Sequence, residues 1–241
     1  MRAVIRVVSL ILMALLCPPG SSAQQRDATG DSGALRAEGG VSGLLALPIG
    51  EFSHYVRAGG GLRAHGVAYL DGRGMAGIRL DGSWIVYGSR TVRRQLSPTI
   101  PFVDVDVTTS NWIASLGLGP QLALTRGRVR PYLHGSVGFS YFATTTSVEG
   151  SHDDEPFASS TNFEDFTFAL LGGGGMQLGL AEAAEHPISL DLGVDFVRHG
   201  LTEYLREGGL REGPGGGVFI EAIRSRTSLS VVHLGVTVGV R

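Results

Sequence analysis

The chain has 241 residues, a formal net charge of −2 and a single cysteine, Cys17. The near-neutral charge offers no basic surface for nucleic acid, and one cysteine permits no intrachain disulfide. Charged residues make up 17 % of the chain and glycine fills 37 positions, against roughly 25 % charged and 7 % glycine in a typical soluble domain.

The first residues read as an export signal. Arg2 and Arg6 are a positive start, Val7 to Leu16 an apolar run, and Ser21-Ser22-Ala23 a small-residue cleavage site. The pattern predicts a signal peptide over 1–23, its apolar run too short to cross a bilayer as a helix. A polar N-terminal segment, 24–34, follows, and 35–241 is expected to be one domain.

That domain reads as eight short segments with apolar residues at every second position, the period of a strand and not of a helix. They fall near 35–47, 58–70, 75–88, 105–124, 129–142, 166–180, 187–197 and 227–241. In the seventh, Ile188, Leu190, Leu192, Val194 and Phe196 share one face, and Ser189, Asp191, Gly193 and Asp195 the other. The connections alternate in length. Asp71–Gly74, Thr125–Arg128 and Ala181–His186 are short, whereas Pro48–Arg57, Ser89–Asp104, Ala143–Asp165 and Arg198–Arg226 are long. Strict alternation is what an antiparallel up-and-down barrel shows when one rim is tight and the other carries loops. After the signal no stretch supplies 18 uninterrupted apolar residues, so a chain that crosses a membrane here must do so as a closed barrel.

Three features direct the apolar face toward lipid. The aromatic residues on that face are Trp84, Trp112, Phe139, Tyr141, Phe166, Phe168 and Phe196. In the up-and-down topology all seven fall in the half of the strand next to the long connections, as in an interfacial girdle. The opposite face is rich in glycine, which suits an eight-stranded interior barely wide enough for side chains. The same parity sends Glu38, Arg63, His65, Arg79, Asp81 and Gln121 inward, with Arg130, His134, Gln177, Asp191, Asp195 and His233. Among them Arg63, Arg79 and Arg130 can pair with Glu38, Asp81, Asp191 and Asp195, and pairing is the condition for burying charge. The expected interior is a polar plug.

On the signal ending Ser21-Ser22-Ala23, the Leu44–Phe52 approach to the first long connection, "RLDGSWIVYGS" (Arg79–Ser89) and the glycine-spaced last strand, the chain resembles the small eight-stranded bacterial outer-membrane barrels of the OmpA, OmpX and OmpW type. The resemblance implies an all-β transmembrane barrel in the bacterial outer membrane, exported by its signal. It also implies outer-membrane lipid and the outer-membrane assembly machinery as partners, and a monomer.

Other constellations have plainer readings. His134 and Ser136 lie two apart on one strand face and with a carboxylate nearby resemble parts of a serine-hydrolase site. Outer-membrane lipid A deacylases carry a similar His-x-Ser, but Asn follows the Ser there and Val137 does here, and parity turns both residues inward. Ser151–Glu155, "SHDDE", lacks a fixed calcium spacing and reads as a solvated loop. The histidines have no zinc spacing and the glycine runs no following Lys-Ser/Thr. No catalytic site, metal or cofactor is expected. The expected role is structural or a surface interaction, presented by the long connections. Passage of small apolar molecules through the barrel, as in the OmpW type, and a soluble periplasmic lipocalin-like binder are the alternatives.

Overall fold

The computed structural model describes residues 35–97, 100–150, 158–181, 186–212 and 218–241. The expected signal peptide and the 24–34 segment lie outside them, as do Ser151–Glu155 and Gly213–Gly217.

Eight strands follow one another: β1 (Ala37–Ile49), β2 (Gly59–Tyr69), β3 (Ala76–Ser97), β4 (Ile100–Ala123), β5 (Val129–Gly150), β6 (Ala158–Ala181), β7 (Ile188–Glu212) and β8 (Val218–Val240). Each pairs antiparallel with its neighbours in sequence, and β8 returns to β1 from Ala37↔Val240 to Ile49↔Ser228, closing the barrel. A closed antiparallel sheet satisfies every backbone group within itself and leaves no edge along the closed part of the wall.

Strand lengths differ from the sequence reading. β1 and β2 span 13 and 11 residues, but β3 to β8 run for 22 to 25. The stretches 89–104, 143–165 and 198–226, expected as loops, are therefore largely strand. In β4 and β5 hydropathy is blind to part of them, because Thr108–Ser110 and Thr144–Ser147 put polar side chains on both faces. Thr108↔Ser147, Thr109↔Thr146 and Ser110↔Thr145 pair across β4 and β5, and branched threonine favours a strand without any apolar contrast.

The interior is filled by setting glycine opposite bulk. Arg79 pairs with Gly119 and Asp81 with Gly117; Tyr132 faces Gly175, His134 and Asp195 both face Gly173, and His233 faces Gly193. A Cβ at Gly173 would lie 2.0 Å from Asp195 Oδ1. In an eight-stranded barrel the large polar side chains fit only because the directly paired residue has none.

The filling has two tiers, and the inward polar residues read from parity make up one of them. Toward the short turns it is polar. Toward the long connections Ile85, Tyr87, Ile113, Phe142, Val197 and Leu229 form an apolar layer with Tyr204. Phe52 closes this layer from a short 3-10 helix, Gly50–His54, in the first long connection. It is fully buried, with its ring 4.9 Å from Tyr204 and 5.7 Å from Tyr87. Alternation places residues on a face but does not report that a loop folds back to cover the barrel.

Candidate functional site

The polar tier is one connected network. At its short-turn end, Glu38 on β1 accepts from Gln121 (2.9 Å) and Gln177 (3.0 Å) through Oε1 and from Arg130 (3.1 Å) through Oε2. Arg130 also donates to the Gly74 carbonyl, and its guanidinium lies 4.8 Å from the Tyr69 ring centroid. Gln121 in turn accepts from Arg79 Nη1 at 2.6 Å, and Arg79 Nε donates to Asp81 at 2.8 Å.

Arg63 carries the network across the barrel. It donates to Asp81 on adjacent β3 at 2.7 Å and 3.1 Å, and through Nη1 to Asp195 on β7. Asp195 lies 3.0 Å from His134 Nε2 and 3.1 Å from His233 Nδ1. Tyr132, which the sequence reading did not single out, donates to Asp191 at 2.8 Å and lies 3.3 Å from His233 Nε2. Glu38, Arg63, Arg79, Asp81, Arg130, Asp191 and Asp195 are all buried. Each charge has a partner of opposite sign or a hydrogen bond within the barrel, the arrangement that makes buried charge tolerable. A void of about 40 Å³ touching Arg63, Asp81, Asp195 and His199 separates the two tiers. It has room for a few water molecules.

Outside, the residues are apolar. Leu116, Leu118, Val137, Leu170 and Leu234 each expose about half of their surface, and Leu62 more. Among them Trp84, Ala114, Tyr141 and Phe166 form one hydrogen-bond row across β3 to β6, with Leu116, Phe139 and Phe168 in the next. Phe139 stacks on Phe166 with centroids 5.2 Å apart, and Trp112 lies 5.5 Å from Tyr141. Phe196 is exposed on β7. Such a surface is inside out relative to a soluble fold, where large exposed apolar patches are rare.

His134 and Ser136 are both buried in the interior. His134 is engaged by Asp195 and by Arg63, 3.2 Å away. Among the described residues no three His, Cys, Asp or Glu side chains converge as metal ligands, and no helix is long and apolar enough to cross a membrane.

A closed up-and-down barrel of eight strands, apolar outside and packed with paired charge inside, is the architecture of the small outer-membrane barrels. The chain is similar to the crystal structure of Ail, the attachment invasion locus protein of Yersinia pestis, at 10 % identity and a TM-score of 0.42, covering 86 % of this chain and 99 % of that one. Its similarity to Neisserial surface protein A is 13 % identity at a TM-score of 0.44, over 86 % of this chain and 98 % of that chain. The translocator domain of the autotransporter NalP from Neisseria meningitidis matches at 12 % identity and a TM-score of 0.30, over 89 % and 90 % of the two chains. No protein-family model and no curated protein sequence matches the chain.

Proposed function

We infer that this chain is a monomeric outer-membrane barrel that conducts nothing and acts through its projecting strands. The short turns face the periplasm and the long strands rise outside the cell. The observation that carries this reading is the continuous buried network from Glu38 through Arg79, Asp81 and Arg63 to Asp195, enclosed by a wall whose large apolar side chains point outward. A lipocalin-like binder needs the reverse, an apolar face turned inward around its ligand. Passage of small apolar molecules is disfavoured by the two tiers, which among the described residues enclose a void of about 40 Å³ between them.

The test is fractionation followed by electrophysiology. The protein should leave membranes only with detergent and migrate differently on gels before and after boiling. In planar bilayers it should give no unitary currents. Release into the soluble fraction without detergent would overturn the membrane assignment, and discrete channel openings by the unaltered protein would overturn the closed interior.

A further inference from the structure

Above the apolar tier the barrel opens into a cup of about 670 Å³, walled by the upper halves of β3 to β7. The volume is that of a small-ligand site, ~300–1,000 Å³. Its lining is decided by three register shifts at its foot. On β3, Val86 pairs with Trp112 and Gly88 with Asn111, so Tyr87 is an extra residue. Below that bulge Arg79, Asp81 and Ile85 face inward; above it the parity is reversed, and Arg90, Val92 and Arg94 line the cup. Arg93 faces away and pairs with Asp106 at 3.1 Å.

The second shift, on β6, inserts Asn162 between Thr161, opposite Thr145, and Phe163, opposite Thr144. Asn162 lines the cup and donates to Thr146 Oγ1 at 2.6 Å. The third is on β7. Leu205 pairs with Ala222 and Leu210 with Ile220, so Arg206–Gly209 bulge out opposite Glu221 alone and border the cup. Gly208 has φ 77°, a left-handed backbone that suits glycine, and a Cβ there would lie 3.3 Å from Arg90 Nη1. Bulges at a barrel rim re-aim side chains, and here all three present polar groups to one space.

The groups are complementary to one chemistry. Arg90, Arg94 and Arg206 supply guanidinium forks against the single lining carboxylate of Glu207, and planar forks suit carboxylate, sulfate or phosphate oxygens. Arg206 also donates to Glu221 at 3.1 Å, whereas Arg90 has no ion-pair partner among the described residues. Facing them, Thr144 donates to Asn111 at 2.6 Å and the Thr109 and Thr146 hydroxyls are 3.1 Å apart. This wall is already ordered and can exchange hydrogen bonds with a polyol. Its strands, β4 to β6, are paired on both sides, so they offer no free main-chain edge to a peptide.

We propose that the cup binds an acidic saccharide, its anionic group held by Arg90 and Arg206 and its hydroxyls by the threonine and asparagine wall. The proposal rests on the reading of the barrel as closed below and outward-facing above. The sugar's source is either the cell's own surface polysaccharide or a glycan from outside, and both have this chemistry.

The folded barrel in detergent micelles, checked by its unboiled gel migration, is titrated calorimetrically with trigalacturonate, with the neutral trisaccharide maltotriose and with inorganic phosphate. Saturable binding of trigalacturonate, weaker binding of maltotriose and a loss of about tenfold in affinity in Arg90→Gln and in Asn162→Ala support the proposal. Absence of saturable trigalacturonate binding overturns it, as does unchanged affinity in both variants, or phosphate binding as tightly as the sugar. Competition by lipopolysaccharide core oligosaccharide assigns the cell's own surface as the source; its absence, with trigalacturonate still bound, assigns an external glycan. Conductance is measured on the same preparation. Currents with intact sugar binding overturn only the closed interior, and silent barrels without binding overturn only the cup.

Discussion

Arg130 on β5 donates to Glu38 on β1 across 3.1 Å, joining two strands that lie opposite one another in the eight-strand order. A single ion pair thus braces the full width of the barrel near its short-turn end. Both side chains are buried, so the pair is stabilising only as long as both halves remain.

Removing one half exposes that dependence. Glu38→Ala leaves Arg130, Gln121 and Gln177 without their common acceptor and should cost about 3–5 kcal/mol, the usual penalty for an orphaned buried charge. Glu38→Gln retains a carbonyl acceptor and should cost less. Urea unfolding in micelles, followed by gel migration, measures both. A midpoint for Glu38→Ala equal to that of the unaltered protein would show that the brace contributes nothing.

Adjacent glycines on β6 make a steric control. A Cβ at Gly173 meets Asp195 Oδ1 at 2.0 Å and the Val194 carbonyl at 2.7 Å, whereas one at Gly172 meets nothing within 4 Å. Gly173→Ala should therefore destabilise the barrel by about 1–3 kcal/mol, the range for overpacking, and Gly172→Ala should be neutral. Equal unfolding midpoints for the two variants would contradict the packed interior.

The outer face is tested by charge at different heights. Leu118 on β4 is half-exposed among the apolar residues, while Thr108, nearer the far end of the same strand, lies 2.9 Å from the Thr91 hydroxyl. In lipid bilayers Leu118→Arg should cost about 2–4 kcal/mol and Thr108→Arg close to nothing. The reading of Leu118 as lipid-facing fails if arginine there is as well tolerated as at position 108.

At the first short turn, Asp71 accepts from the amides of Met75 (2.7 Å) and Ala76 (3.0 Å). Desolvation acts to raise its carboxyl, but the Ala76 and Met75 amides outweigh it and hold the group below its ordinary value. A depressed folded value means the contribution is complete above the unfolded value, about pH 4, and is lost as pH falls through the folded value. Acid should therefore loosen this turn in the unaltered protein. In Asp71→Asn the amide exchange of Met75 and Ala76 should show no such acid step, and an identical step in both would remove Asp71 as its cause.

What was legible in the sequence was whatever periodicity encodes. Alternation in eight segments, cleanest in 187–197, with short turns such as Asp71–Gly74, was enough for eight antiparallel strands, and parity alone put Glu38, Arg63, Arg79 and Asp195 on one face and Phe139, Leu192 and Phe196 on the other. Above the apolar belt that signal vanishes. Thr108–Ser110 and Thr144–Thr146 have the same chemistry on both faces, so strands of 22 to 25 residues looked like loops.

The sequence by itself determined the strand order and which residues share a face, because a β-strand repeats every two residues whatever it packs against. Only the tertiary structure decided who meets whom across the lumen. The Arg63–Asp195 pair spans 132 positions, and no local pattern encodes a contact made by closure. The same holds for Phe52 folding in over Tyr204, and for the bulges at Tyr87, Asn162 and Arg206–Gly209, since a single inserted residue reverses every side chain beyond it. Local periodicity sets the faces; closure and register set the site.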